Sequence, residues 1–127
     1  MKINRFEDIE AWKEARKLVQ MVYDAIKQNK NFRKDFRLVN QIQAASVSSM
    51  SNIPEGFSRR SNKEFIQFLY ISKSSAAEVQ SQIYVALDQD YIDQATFKII
   101  YDQAEKVAKL DSGFIKYLMT QTRKKKP

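Results

Sequence analysis

The chain has 127 residues, 43% of them hydrophobic and 29% charged, the size and balance of one ordinary globular domain. It contains neither cysteine nor histidine, which excludes disulfides, thiol nucleophiles, serine–histidine triads, the usual zinc sites and the Glu-x-x-His di-metal sites of ferritin-like bundles. Two glycines and two prolines are too few for an all-β fold, so the composition points to helix.

No stretch approaches the roughly 18 uncharged apolar residues of a membrane span. The opening MKINRFEDIEAW carries acids early and has no apolar signal core. The expectation is a cytoplasmic protein with no membrane partner. The net charge is +7, of which Arg123, Lys124, Lys125 and Lys126 supply four. The expected organisation is one bundle over residues 1–122 with a basic, disordered tail at 123–127.

The first predicted helix lies in FEDIEAWKEARKLVQMVYDAIKQ, where Trp12, Ala15, Val19, Val22 and Ile26 recur at helical spacing. Ala11, Leu18 and Ala25 widen the stripe, Glu7, Asp8 and Glu10 suit a helix N-terminus, and Asn29 to Asn31 supplies a stop.

The second element is harder to read. QAASVSSMSNIPEGFSRRS has the Ser, Asn, Pro and Gly of a loop. Yet Val39, Ile42, Ala45, Ser49, Ile53 and Phe57 keep a three-to-four-residue register straight through it. A loop has no reason to maintain that register. The reading is one helix from Lys34 to about Arg59, kinked near Met50 to Pro54 because an interior proline removes a hydrogen bond, with Gly56 relieving the crowding. The competing reading ends the helix at Ile53.

Ser61 followed by Glu64 forms a capping box for a third helix, whose stripe runs through Phe65, Leu69, Ser72, Ala76, Val79 and Ile83 to a stop at Asp88 to Asp90. Asp93 is a plausible cap for a fourth, carrying Phe97, Ile100, Ala104, Val107, Ile115 and Leu118. Gly113 within it costs about 1 kcal/mol relative to alanine, which points to a close approach or a slight bend. Four helices of similar length with short joints predict an all-α, antiparallel up-down-up-down four-helix bundle with a kinked second helix.

The string from Gln41 to Ile92 resembles the signature of the four-helix-bundle family first noticed in intervening sequences of 23S ribosomal RNA genes, related to the accessory variability proteins of diversity-generating retroelements. The pattern Q-I-x-x-A-x-x-S-x-x-x-N-I-x-E-G-F is matched by Gln41, Ile42, Ala45, Ser48, Asn52, Ile53, Glu55, Gly56 and Phe57. The later positions Phe65, Phe68, Leu69, Ser75, Glu78, Gln82, Tyr91 and Ile92 match as well, as do Phe6, Asp8, Ile9, Trp12 and Ala15 near the start. Pro54 stands where alanine is frequent. The resemblance implies a helical bundle assembled as a ring-like homopentamer. It implies no reaction, and retroelement relatives bind nucleic acid and a reverse transcriptase. Within the motif, Asn52, Ile53, Glu55, Gly56 and Glu78 are expected to be structural.

Asn52 and Glu55 make a poor catalytic pair, since a lone glutamate needs a second acid, a histidine or a metal. The plainer expectation is that they satisfy backbone groups freed by Pro54 or pair with Arg59 or Lys63. The serines lack a base and are expected to pack. Most aromatics belong to the core, while Tyr70 and Tyr84 fall off the stripe and suit a subunit interface. No catalytic residue, cofactor or metal ligand is expected.

The charges carry the functional signal. Arg59, Arg60 and Lys63 make the second joint basic, and bundle topology brings that joint to the same end as the Arg123, Lys124, Lys125 and Lys126 tail. Lys30, Arg33, Lys34 and Arg37 form a second basic joint at the other end, near the acidic Asp88, Asp90 and Asp93. The expectation is a non-enzymatic oligomer binding RNA or DNA through these surfaces, the first set principal and the second subsidiary. The alternative is a protein–protein scaffold without a nucleic-acid role.

Overall fold

In the computed structural model, the structure describes residues 3–125, with side chains through Gln121. A 3-10 turn at Phe6–Asp8 precedes five helices: α1 (Glu10–Lys27), α2 (Lys30–Lys34), α3 (Phe36–Phe57), α4 (Asn62–Asp88) and α5 (Gln94–Lys125). The four long helices form the expected antiparallel bundle. α3 lies against α1 and α4, and α5 against α4 and α1. No described helix is long and apolar enough to cross a membrane.

The ambiguous Ser-rich stretch is helical throughout, with Pro54 inside α3. Its limits are tighter than Lys34 to Arg59, because the first joint folds into a helix of its own. Asn29 caps α2 by accepting from the Phe32 amide at 2.9 Å, and Asp35 caps α3 by accepting from Leu38 at 3.1 Å. Phe32 is fully buried and stacks on Tyr91, whose hydroxyl donates to Asp35 at 2.9 Å. That cluster closes one end of the bundle. The Ser61–Glu64 box forms as expected, and Asp93 caps α5 through the Thr96 amide. α4 ends in a Schellman turn, with Tyr91 N–H on the Ala86 carbonyl, Asp90 N–H on that of Leu87, and Asp90 in the left-handed region at φ 61°.

The two glycines differ in role. A Cβ on Gly56 would sit 2.6 Å from Phe65 Cδ1 and 2.8 Å from Phe68 Cβ. So Gly56 permits α3 to lie directly on α4, independently of Pro54. Gly113 has open space where a Cβ would stand, which corrects the close approach expected there.

The apolar interior falls into two clusters. One runs from the Phe32 end to Ala45, Ala76 and Val107, and the other gathers Ile9, Ile53, Phe65, Leu69, Ile115 and Leu118 at the opposite end. Between them lies a polar layer of Ser49, Ser72 and Asp111, all fully buried. The Ser72 hydroxyl is 2.6 Å from the Ser49 carbonyl and 2.7 Å from Asp111 Oδ2. A hydroxyl has one proton and cannot serve two acceptors. With Asp111 protonated, Asp111 donates to Ser72 and Ser72 to Ser49; with Asp111 ionised, the Ser72 proton turns to the carboxylate instead. Asp111 Oδ1 is buried without a partner among the described residues, and a neutral acid tolerates that far better than a carboxylate. Burial accordingly pushes the Asp111 carboxyl up to about 7, against the opposing pull of the Ser72 hydrogen bond and of Lys73.

Glu14 on α1 is the opposite case. It is also buried, but the Gln103 amide donates to it at 3.0 Å, and Lys17 and Lys106 approach at 3.1 and 3.3 Å. Chiefly the Gln103 bond, then the lysines, hold its carboxyl below the usual range. Neither acid was anticipated. The signal was present, since Glu14 falls between Ala11 and Leu18 and Asp111 between Val107 and Ile115, each on a buried stripe.

Two outcomes are expected. Gly56→Ala destabilises the protein by roughly 1–3 kcal/mol through overpacking, whereas Gly113→Ala stabilises it by about 0.5–1 kcal/mol; urea melts measure both. The folded state holds the Asp111 proton where the unfolded chain releases it. Its contribution is therefore complete below about pH 4 and declines towards about pH 7, with a slope of at most about 1.4 kcal/mol per pH unit. Glu14 acts with the opposite sign, its contribution being lost as pH falls through the acid range. Unfolding free energies of wild type and Asp111→Asn across this span should differ in slope, with the variant lacking the decline between about pH 4 and 7. Parallel curves would show that Asp111 is ionised in the fold.

Candidate nucleic-acid interface

The α3–α4 joint lies at the bundle end that also holds the start of α1 and the last described turn of α5. A groove of about 310 Å³ opens there, and Ile3, Arg60 and Gln121 all line it. Its position follows from local chemistry. α3 stops after Phe57, the Ser58 amide bonds back to the Pro54 carbonyl, and Ser61 starts α4 three residues on. Arg59 and Arg60 are left in the bend between two rigid helices.

The two arginines are held differently. Arg59 is 3.8 Å from Glu55 Oε2, one helical turn back, and its guanidinium carbon lies 4.7 Å above the Phe68 ring. Stacking and ion pairing position it as a wall of the groove. Arg60 is exposed and has no carboxylate partner among the described residues. Lys63 is exposed on the first turn of α4, outside the groove lining. The groove floor is aromatic: Phe57, Phe65, Phe114 and Tyr117 follow one another with centroids 5.3–6.1 Å apart. No carboxylate lines it among the described residues. The nearby Glu64 accepts from the Ser61 hydroxyl at 3.1 Å.

Of the tail, α5 extends to Lys125, while the side chains of Arg123, Lys124 and Lys125 and the whole of Lys126 lie outside the described residues. The second basic set stands apart. Lys30, Arg33, Lys34 and Arg37 are all exposed around α2, at the far end of α3. Arg33 donates to the Lys27 carbonyl at the C-terminus of α1, and Asp35 is occupied by capping α3 and by Tyr91. About 33 Å of helix separates the two sets. They cannot form one contiguous patch in a single chain.

The motif residues sort by contact. Ile53 is fully buried and Gly56 sits against Phe65 and Phe68. Glu55 pairs with Arg59, one of the partners anticipated for it. Asn52 donates to the Ser48 carbonyl at 2.8 Å and to Ser48 Oγ at 2.9 Å, and Ser48 Oγ in turn lies 2.8 Å from Ser75 Oγ on α4. Asn52 thus braces the α3–α4 contact, where the expectation was that it satisfies backbone groups freed by Pro54 or pairs with Arg59 or Lys63. Glu78 is exposed, with no ion pair among the described residues. Tyr70 and Tyr84 are both exposed, and Tyr84 also packs on Phe97 and Tyr101 of its own chain at 4.7 and 5.9 Å. In the sequence Phe114 is a stripe position of the last helix, and Tyr117 is one of the aromatics able to stack on a base but expected for the most part in the core; that they meet Phe57 and Phe65 in one groove was not anticipated.

A solved protein of unknown function from the S23 ribosomal protein family, from Bacteroides thetaiotaomicron, superposes with a TM-score of 0.76 at 23% identity, over 84% of this chain and 98% of the other. At that identity the likeness is one of fold. Among curated proteins none matches. The model of the 23S rRNA-intervening sequence protein family matches residues 7–113, from the 3-10 turn through Gly113 of α5. The chain belongs to the 23S rRNA-intervening sequence protein family.

Proposed function

We propose that this protein is a non-enzymatic, cytoplasmic homo-oligomer, a ring of five copies, that binds RNA or DNA through its basic bundle end. The observation that carries the reading is the groove at the α3–α4 joint. Arg59 and Arg60 flank it and Lys63 stands beside it; Arg59 is shared with Glu55, while Arg60 has no carboxylate partner among the described residues. A ring would repeat that basic joint once per copy and present several phosphates' worth of charge on one face. Support for assembly comes from the family resemblance and from Val47, Ile71 and Val85, exposed apolar residues of α3 and α4. The basic set around α2 serves as a subsidiary contact, and in a retroelement setting a reverse transcriptase is the expected protein partner.

Fluorescently labelled RNA and DNA titrated at about 50 and about 200 mM salt test the reading. Binding should weaken steeply with salt, and replacing Arg59, Arg60 and Lys63 together by alanine should reduce the log–log salt slope by roughly 2 for a single strand. Sedimentation of the same samples gives the number of copies. A ring that forms but binds nucleic acid at neither salt concentration supports the scaffold alternative.

A further inference from the structure

The groove has a second property that a merely basic surface lacks. Phosphate attraction requires only charge, and it does not distinguish a duplex from a single strand. Here the cationic rim stands over an aromatic floor. Tyr117 is 39% exposed and leans on Phe114 at 6.0 Å with 35° between the rings. Phe114 meets Phe65 edge-on at 5.3 Å, so the floor is braced from behind by a buried ring. Arg60 lacks a carboxylate among the described residues, while Arg59 is already held by Glu55 and Phe68. Asn62, the first residue of α4, lines the same groove. The Ser61 hydroxyl occupies the Glu64 amide, and the earlier amides of that 27-residue helix have no intrahelical acceptor.

We propose that this groove is a pocket for one unpaired nucleotide of a single-stranded nucleic acid, its base stacked on Tyr117 and its phosphate on Arg60 and the first turn of α4. This rests on the nucleic-acid reading above and narrows it. A volume of about 310 Å³ is at the small end of pockets for organic ligands. A duplex keeps its bases stacked on one another and offers the groove only phosphates. An unpaired base has a free face to lay on a ring, and each such stack raises affinity by roughly ten-fold or more. Recognition of this kind is tolerant of base identity, since every base has a π-face. The chemistry therefore selects strandedness over sequence.

Short single-stranded RNA carrying 2-aminopurine, and a duplex of the same length, are titrated against the full chain and its Tyr117→Ala, Tyr117→Phe and Arg60→Ala variants. The pocket requires quenching of 2-aminopurine emission on binding and tighter binding of the single strand than of the duplex. Tyr117→Ala should lose roughly ten-fold in single-strand affinity with an unchanged salt slope. Tyr117→Phe keeps the ring and should bind as wild type does. Arg60→Ala should lower the salt slope by about 0.7. Equal affinity for single strand and duplex, or unquenched emission in the wild-type complex, overturns the pocket while salt-dependent binding leaves the broader reading intact. No binding of either nucleic acid at low salt overturns both. Thermal melts confirm that the variants are folded, and wild-type quenching decides the matter if Tyr117→Ala is not.

Discussion

The bundle depends on how closely α3 can lie on α4. Two helices approach to the limit set by the side chains between them, and along this contact those side chains are Ser48, Ser49, Ser72, Ser75 and Gly56. Gly56 alone lets the backbone of α3 pass Phe65 and Phe68. The serines remain satisfied while buried because each hydroxyl finds a nearby acceptor: Ser49 on the Ser46 carbonyl, Ser72 on that of Ser49, Ser48 against Ser75. Small size permits the approach, and hydrogen bonding removes the penalty of placing polar atoms there.

A polar layer at mid-bundle also specifies alignment. Apolar surfaces slide past one another at little loss, whereas Ser49, Ser72 and Asp111 meet in one register of α3, α4 and α5 only. Glu14 with Gln103 does the same between α1 and α5. Each long helix is thereby keyed to a neighbour by a directional contact, with apolar clusters on either side supplying most of the burial energy. The opposite shifts of the two acids follow from their surroundings. Glu14 has an amide and two cations, whereas Asp111 is desolvated, opposed by a hydroxyl it shares with Ser49 and by the charge of Lys73.

That alignment is what makes the basic end a site. Arg59 and Arg60 come from the joint, Phe57 from the end of α3, Asn62 and Phe65 from α4, and Phe114 and Tyr117 from α5. A shift of one turn in α5 would carry Tyr117 about 5.4 Å along the bundle axis and separate ring from guanidinium. The polar layer lies one to two turns from the groove along α5, so the register it sets is transmitted through rigid helix.

Much of the architecture was legible in the amino-acid order alone. Apolar spacing marked the four long helices, Ser61 with Glu64 and Asp93 marked two of their starts, and the unbroken register through Ser46 to Gly56 outweighed the loop-like composition there. These are local matters, set by backbone hydrogen bonding and periodicity within a few residues. The sequence also brought Arg59, Arg60 and Lys63 to one end, because that needs only helix count and alternating direction. What it could not decide depended on distances between residues far apart in the chain. Gly56 and Gly113 look alike in a string, yet one faces Phe65 at contact distance and the other faces open space. Asp111 and Glu14 are acids on buried stripes, and only their neighbours across the core separate a carboxyl pushed up to about 7 from one held below the usual range. The groove exists because three segments about fifty residues apart converge, and convergence is a property of packed helices in three dimensions rather than of any one segment.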